Sequence, residues 1–284
     1  MPRQLLEPHA VFLDFDGTLG DHGIVPKAHV EAVRRARARG HKLLLCTGRP
    51  EPMVSPTVLA ELDGLVASAG CFVKADGVVV LDERFPENVA TATVDVLTKH
   101  NVPFVLESPD GMFGNDHGVA HVERLLASFN LAGVAPQPGD VGEGAADMAR
   151  ALRHTGVLSS IRFAKAVVWG SHLTADELAA QIGPDVRPMP NSVAQDGTSS
   201  GELQLWAIDK IDGVRRAAAH FGIPMDRTIG CGDGLNDVKL LQGVGKSVVI
   251  EGSTAAGAVE HPTVVAAPPS KGGLADAFEE LGLY

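Results

Sequence analysis

Two groups of acidic residues follow apolar runs of the chain, and their spacing suits the binding of a metal ion. Asp14 and Asp16 lie two residues apart directly after the run Ala10–Leu13, and Asp233 and Asp237 follow another apolar run far along the chain. Crowded carboxylates stay ionised at neutral pH only when a cation lies between them. Ligand sets made of oxygen alone select a hard cation, and Mg²⁺ is the common one. The four aspartates therefore predict a Mg²⁺ site.

Three further residues offer hydrogen-bond donors to a phosphate group. Thr47 carries a hydroxyl, Gly48 a backbone N–H that a ligand can approach closely, and Lys210 an ammonium. Charged and backbone donors of this kind bind phosphate oxygens well. Both sets of residues stand where predicted parallel strands end, and open α/β sheets bind their ligands at that edge. The sequence thus predicts a phosphate-binding site beside the metal.

Strand and helix patterns alternate near both ends of the chain, which is typical of a parallel sheet covered by helices. The predicted strands of this kind cover residues 10–13, 42–46, 65–67, 228–231, 247–250 and 263–266. The middle of the chain mixes short strands and helices without that alternation. We therefore predict an α/β fold: a Rossmann-like parallel sheet core from residues 1–73 and 196–284, interrupted by an inserted α+β cap domain over residues 74–195.

Local patterns give more detailed expectations for the inserted block and its surroundings. The block is expected to begin with a β-hairpin over 73–81, because Asp76 and Gly77 form a favourable turn pair. The other predicted features are helices over 52–62 and 145–155, a loop over 108–118, a helix over 174–182 capped by Thr174, and a strand over 192–194. Trp169 and Trp206 lie in strand patterns and are predicted to be buried.

Composition narrows the possible partners and compartments. The 284 residues include 24 basic and 35 acidic side chains, which give a formal charge of −11. Such an acidic protein lacks the basic surface that nucleic-acid binding requires. The chain has no apolar run long enough to cross a membrane and no signal-peptide core, so a cytoplasmic protein is expected. Its three cysteines are widely spaced, which argues against a disulfide framework. The oligomeric state is not readable from the sequence.

The polar clusters together resemble the motifs of the haloacid-dehalogenase superfamily of phosphotransferases. The D-x-D-x-T motif is met by Asp14, Asp16 and Thr18, the strand-end threonine by Thr47, the helix-opening lysine by Lys210, and G-D-G-x-N-D by residues 232–237. The inserted block lies between the second and third motifs. This placement resembles the Cof-type phosphatases, which carry a type IIB cap. Two positions depart from the Cof pattern: Ser68-Ala69-Gly70 replaces Asn-Gly-Ala, and no glycine directly follows Lys210.

The resemblance implies a mechanism and a role for each matching residue. Asp14 would be the nucleophile that forms an aspartyl-phosphate, and Asp16 the general acid and then the general base. The implied Mg²⁺ ligands are Asp14, the backbone carbonyl of Asp16, and Asp233, with Asp237 orienting them. The implied phosphate-binding residues are Thr47, Gly48 and Lys210, with Asn236 positioning Lys210 or the phosphate and Arg49 reaching the leaving group. The implied substrate is a small phosphorylated metabolite, such as a sugar or polyol phosphate.

Two other functions fit the same motifs. A phosphomutase acting on sugar phosphates would use the same nucleophile but would leave the total free phosphate unchanged. A non-hydrolytic switch would keep the aspartyl-phosphate on Asp14 without turnover. The length of the chain and the presence of Asp16 argue against the switch, because receiver modules are small single domains that need no acid/base group two residues after the nucleophile.

Overall fold

Two β-sheets organise the chain, whose computed structural model describes residues 7–131, 135–154, 157–190 and 200–284. The strands of the described residues are β1 (Ala10–Leu13), β2 (Lys42–Cys46), β3 (Gly64–Ala67), β4 (Phe72–Ala75), β5 (Val78–Asp82), β6 (Phe104–Ser108), β7 (Gly111–Gly114), β8 (Leu152–His154), β9 (Lys165–Val168), β10 (Val186–Met189), β11 (Gly201–Leu205), β12 (Thr228–Gly232), β13 (Lys246–Ile250) and β14 (Val264–Ala266). The helices are α1 (Lys27–Ala38), α2 (Pro56–Leu59), α3 (Glu87–Lys99), α4 (Asp116–Leu131), α5 (Ala145–Ala151), α6 (Ala175–Ile182), α7 (Lys210–His220), α8 (Val238–Gly243) and α9 (Gly273–Glu280).

The central sheet has eight strands in the order β14-β13-β12-β1-β2-β3-β4-β5, and the strands from β14 to β3 pair in parallel. Successive side chains of a strand point to opposite faces. Val11 and Leu13 accordingly pack in the core beneath α1 and α9, whereas Phe12 packs with residues of α7 and α8 on the other face. Strands buried on both faces are characteristic of parallel sheets. This arrangement confirms the predicted α/β fold.

The second sheet, which we call the cap sheet, has six strands in the order β10-β11-β9-β6-β7-β8. One face packs against α3 and α6 through residues such as Leu106, Val168 and Leu178. The opposite face carries apolar residues that pack with α4 and α5 at one end. At its other end, the same face bears buried charged side chains on β6, β9 and β11.

The sheets divide the chain at different residues from the boundaries predicted at 73/74 and 195/196. The hairpin β4–β5 extends the central sheet by pairing with β3, so the first boundary cuts through a unit of the core. Strand β11 pairs with β9 and β10 in the cap sheet although it was assigned to the core. The alternating pattern of a strand predicts that it is half-buried, but it does not say which sheet edge the strand joins. The second boundary and the strand over 192–194 lie outside the described residues.

Several local predictions need correction. The helix over 52–62 is replaced by a 3₁₀ turn at Glu51–Met53 and the short helix α2, because Pro56 cannot continue a preceding helix and instead begins a new one. The loop over 108–118 contains strand β7 and the start of α4. The helix over 145–155 ends at Ala151, where the chain enters β8.

Other local predictions can be compared directly with the structure. Thr174 forms the predicted N-cap, in a capping box with Glu177. Trp169 is buried as expected, but Trp206 is 61% exposed because it follows the end of β11. No helix within the described ranges combines the length and apolar character needed to span a membrane.

Candidate active site

The polar motifs meet at one edge of the central sheet because β12, β1 and β2 are neighbours in it. Asp14 follows β1, Thr47 follows β2 and Asp233 follows β12, and all three strands run in the same direction. The backbone N–H of Asp14 donates to the carbonyl of Cys231 at 2.9 Å, which ties the first motif to the fourth. The fold therefore brings these residues together at the carboxyl ends of the strands, as predicted.

Lys210, the first residue of α7, links the first and fourth motifs by hydrogen bonds. Its ammonium donates to Oδ1 of Asp14 and to Oδ1 of Asp237, both at 2.6 Å, and its side chain is 1% exposed. Asp209 and Asp212 form a capping box that fixes the start of α7 and therefore the position of Lys210. The lysine is thus held as a buried charge within reach of the proposed nucleophile.

Asp237 makes hydrogen bonds through both of its carboxylate oxygens. Its Oδ2 accepts hydrogen bonds from the backbone N–H groups of Asp233 and Gly234, at 3.2 and 2.9 Å, while its Oδ1 accepts from Lys210. Both oxygens of Asp237 therefore have protein partners. This leaves Asp14 and Asp233 as the side chains best placed to bind an ion directly, and Asp237 as the residue that orients them.

The acidic cluster fits a hard divalent cation. Asp14, Asp233 and Asp237 each offer one oxygen, and these atoms lie within 4.8 Å of one another. Burial raises the pKa of Asp14 well above its usual range, and repulsion from Asp237 adds to the effect. Burial likewise raises the pKa of Asp233 to about 6, although the hydrogen bond donated by Thr18 lowers that pKa. Three carboxylates share one lysine here, so a cation is needed to ionise all of them, and their oxygens suit Mg²⁺.

The carboxylate of Asp16 points away from this cluster and towards Arg49. The guanidinium donates from Nε to Oδ2 at 2.7 Å and from Nη2 to Oδ1 at 2.8 Å, and the backbone N–H of Gly23 donates to Oδ1 at 3.1 Å. Arg49 also lies over the ring of Phe15. The sequence-based expectation placed Arg49 at the leaving group, whereas in this structure it binds the carboxylate of the proposed acid/base.

Most of the phosphate-binding residues predicted from the sequence line one cleft of about 650 Å³ between the central sheet and the cap sheet, whereas Lys210 is buried behind Asp14. Thr47, Gly48 and Asn236 face this cleft together with Asp14 and Asp233. The backbone N–H of Arg49 donates to the hydroxyl of Thr47 at 3.1 Å. The hydrogen of that hydroxyl is thereby free to point towards a ligand, because its oxygen already accepts a bond.

The Ser68–Gly70 turn, where the sequence departs from the Cof pattern, packs against the start of α7. A Cβ atom on Gly70 would lie 2.2 Å from the carbonyl oxygen of Asp209, and the backbone of Gly70 has a φ of +105°. Only glycine satisfies both conditions. The turn therefore helps to place the segment that carries Lys210.

The sequence-based reasoning missed a charged cluster that the cap sheet places above the cleft. Lys165 on β9 lies between Glu107 on β6 and Glu202 on β11, with Nζ–Oε2 distances of 3.0 and 3.1 Å. Glu202 and Gln204 line the cleft. A charged residue in each of three mostly apolar strands was the available signal, but such residues usually lie on a solvated face of a sheet.

Comparisons with known proteins identify the family of the chain. A family model described as haloacid dehalogenase-like hydrolase matches residues 11–278. The chain is 23% identical to YkrA of Bacillus subtilis (strain 168) over 98% of this chain and 99% of YkrA. It is 25% identical to the 5-amino-6-(5-phospho-D-ribitylamino)uracil phosphatase YitU of the same organism, over 86% of this chain and 87% of YitU.

A comparison of structures gives the same fold. The solved structure of the HAD subclass IIB sugar phosphatase BT4131 matches with a TM-score of 0.76 and 19% identity, over 97% of this chain and 100% of that chain. At 19% sequence identity, this match shows a shared fold alone. The family match covers nearly the whole chain and includes all four motifs, and the protein therefore belongs to the haloacid dehalogenase-like hydrolases.

Proposed function

We propose that this hydrolase is a Mg²⁺-dependent phosphatase that releases inorganic phosphate from a small sugar or polyol phosphate through an aspartyl-phosphate on Asp14. The observation that carries the proposal is the setting of Asp14. Its carboxylate lies 2.6 Å from the buried ammonium of Lys210, beside Asp233, at the floor of a cleft. Asp16, two residues along, provides an acid/base group on the same rim.

The first half of the reaction transfers the phosphoryl group to the protein. A carboxylate oxygen of Asp14 attacks phosphorus, a new P–O bond forms to Asp14, and the bond from phosphorus to the ester oxygen breaks. Asp16 gives a proton to the departing oxygen. Thr47, Gly48 and Lys210 bind the phosphoryl oxygens during the transfer, and Asn236 helps to position Lys210 or the phosphate.

The second half regenerates the carboxylate. Asp16, now ionised, takes a proton from a water molecule that attacks phosphorus, and the bond between phosphorus and Asp14 breaks. Inorganic phosphate leaves. The Arg49 guanidinium, which binds both oxygens of Asp16, suits this ionised form and orients the base towards the cleft.

The acidic cluster is the proposed Mg²⁺ site. The side chains of Asp14 and Asp233 and the backbone carbonyl of Asp16 would hold the ion, with Asp237 orienting them. The bound ion would neutralise negative charge on the phosphoryl group as it is transferred. The same charge makes the site attractive to an anion in spite of the net charge of −11 of the chain.

The substrate class rests on the relatives and on the size of the cleft. BT4131 is described as a sugar phosphatase, and the substrate in the name of YitU carries its phosphate on a ribityl chain, which is a polyol. The cleft of about 650 Å³ has room for a leaving group of that size. Glu202 and Gln204 on its cap side supply acceptors and donors suited to hydroxyl groups.

A phosphate-release assay on a panel of esters tests the proposal. The panel includes hexose, pentose and ribitol phosphates and an aryl phosphate, each with Mg²⁺ and with EDTA. We expect Mg²⁺-dependent release from at least one sugar or polyol ester, and loss of turnover in Asp14→Asn. Asp95→Asn, an exposed carboxylate on α3, is the matched control and should keep full activity.

Four outcomes would contradict the proposal. Turnover that persists in EDTA excludes the metal, and full activity of Asp14→Asn excludes the nucleophile. An ester that is isomerised without any rise in free phosphate identifies a phosphomutase instead. A stable phosphoprotein that does not turn over would identify a switch.

A further inference from the structure

The buried cluster on the cap sheet also contacts the core. Lys165 is 3% exposed, and its two carboxylate neighbours, Glu107 and Glu202, are nearly as buried. Besides these partners, the Lys165 ammonium donates to the backbone carbonyl of Gly48 at 3.0 Å. Gly48 belongs to the loop that follows β2 in the central sheet, so this bond links the cap sheet with the proposed phosphate-binding loop.

A cluster of this kind is costly as a structural element. Three charges lie out of water, and burying an ion pair is often no more stabilising than apolar packing of the same volume. The neighbouring residues on the same face of the cap sheet, Val105 and Val167, are apolar and pack well. The position of the charges directly above Gly48 therefore indicates a use other than holding the cap sheet together.

The bond to Gly48 acts on the loop proposed to bind phosphate. The Gly48 carbonyl and the Arg49 N–H belong to one peptide unit, and that N–H donates to the hydroxyl oxygen of Thr47 at 3.1 Å. When the carbonyl of a peptide accepts a hydrogen bond, the hydrogen bond that the N–H of the same peptide donates becomes stronger. Lys165 thus fixes the orientation of the Gly48–Arg49 peptide, and through it the oxygen of the Thr47 hydroxyl.

We propose that Lys165 is a positioning residue that couples the seating of the cap on the core to the phosphate-binding loop. When the cap covers the cleft, Lys165 reaches Gly48 and sets the donors of Thr47 and Gly48 for the transferring phosphoryl group. When the cap lifts, this bond is lost and the loop relaxes. Glu107 and Glu202 hold the ammonium in place. The inference rests on the proposed phosphatase function, and it goes further in naming the cap residue that completes the phosphate site.

The test compares Lys165→Met with two further variants. The single change leaves two buried carboxylates without a cation, so the double variant Lys165→Met with Glu107→Gln keeps the net charge of the cluster unchanged. Lys165→Arg restores a cation that can reach a carbonyl. Lys99→Met, an exposed lysine at the end of α3, is the control. Each variant is first checked for folding by circular dichroism and by its thermal midpoint.

The readouts are kcat and KM for the best ester and the inhibition constant of inorganic phosphate. Inorganic phosphate has no leaving group, so it reports on the phosphate-binding residues and not on contacts to the leaving group. We expect the double variant to lower kcat and to weaken phosphate inhibition, each about tenfold, which is less than the loss of one direct oxyanion donor. KM should rise together with the phosphate inhibition constant, because the phosphoryl group of the ester binds the same loop. Lys165→Arg should recover part of these losses, and Lys99→Met should match the wild type.

The result that overturns the inference is a folded double variant whose phosphate inhibition constant and kcat equal those of the wild type. A rise in KM with unchanged phosphate inhibition also overturns it, because Lys165 would then contact the leaving group. Failure of the proposed function looks different: the wild type itself would release no phosphate from any ester with Mg²⁺.

Discussion

Arg49 and Asp16 form two parallel hydrogen bonds, of 2.7 and 2.8 Å, at the rim of the cleft. Arg49 follows β2 and Asp16 follows β1, so the pair spans two adjacent strand ends. A bidentate arrangement fixes both the position and the plane of the carboxylate. It therefore decides where the proposed acid/base can deliver or accept a proton.

Replacing Arg49 should impair proton transfer more than phosphate binding. In Arg49→Met the carboxylate of Asp16 loses both guanidinium bonds, and we expect kcat to fall about tenfold or more, within the range that acid/base catalysis contributes. The ammonium of Arg49→Lys cannot form two parallel hydrogen bonds to one carboxylate, so this variant should keep only part of the activity that Arg49→Met loses. Kinetics with an alkyl and an aryl ester make the test, because an aryl leaving group needs less help from an acid. Equal losses for the two esters would contradict the role of Arg49 in orienting Asp16.

Replacing Lys210 should lower both activity and stability. Lys210→Met leaves Asp14 and Asp237 buried without their shared partner, and breaking a buried ion pair in this way costs about 3–5 kcal/mol. We expect the free energy of unfolding to fall by that amount and turnover to be lost. Lys239→Met is the control, since Lys239 is exposed and its pair with Asp209 is worth about 1 kcal/mol or less. Chemical denaturation measures both, and equal small losses would contradict the assigned role.

Mg²⁺ binding should weaken in acid. Burial raises the pKa of Asp233 to about 6 in the metal-free protein, so below that pH the carboxyl must lose a proton before it can bind the ion. Affinity for Mg²⁺ is then expected to fall at least about tenfold for each pH unit below 6, because the raised pKa of Asp14 adds proton competition at the second carboxylate. Calorimetric titrations from pH 5 to pH 8 measure this slope. A flat profile, or affinity retained in Asp233→Asn, would exclude Asp233 as a ligand.

His29 should make the stability of the fold depend on pH. Its ring is buried, with Nδ1 2.8 Å from the carbonyl of Leu19, and the backbone N–H of Leu274 donates to Nε2 at 3.2 Å. Nε2 must be unprotonated to accept that bond. Burial lowers the pKa of His29, although its hydrogen bonds oppose the shift.

The direction of this pH effect follows from proton binding. In the unfolded chain the imidazole of His29 takes up a proton near pH 6.5, whereas in the folded chain it does so only at lower pH. The stability that His29 contributes is therefore present above about pH 6.5 and is lost as the pH falls. The free energy of unfolding decreases by at most about 1.4 kcal/mol per pH unit. His29→Gln should flatten the difference in unfolding free energy between pH 7.5 and pH 5.5, whereas His117→Gln on the exposed side of α4 should leave it unchanged. The same slope in wild type and His29→Gln would refute the assignment.

Local sequence patterns were enough to locate the strand ends that carry the proposed catalytic residues. Asp14, Thr47 and Asp233 each follow a short apolar run, and a polar residue directly after a buried strand is a local feature that needs no knowledge of the fold. Alternation of strands and helices indicates a parallel sheet, and in such a sheet these ends meet at one edge. The central sheet and the juxtaposition of the motifs were therefore predictable.

The pairing of distant residues and the division of the chain between the two sheets depend on tertiary contacts, which local patterns do not contain. Arg49 binds Asp16, Lys165 reaches Gly48 across 117 residues of sequence, and the hairpin β4–β5 joins the central sheet. Each of these relationships depends on strand order and register between distant segments. Local patterns encode which face of a strand is apolar, but not which strand lies beside it.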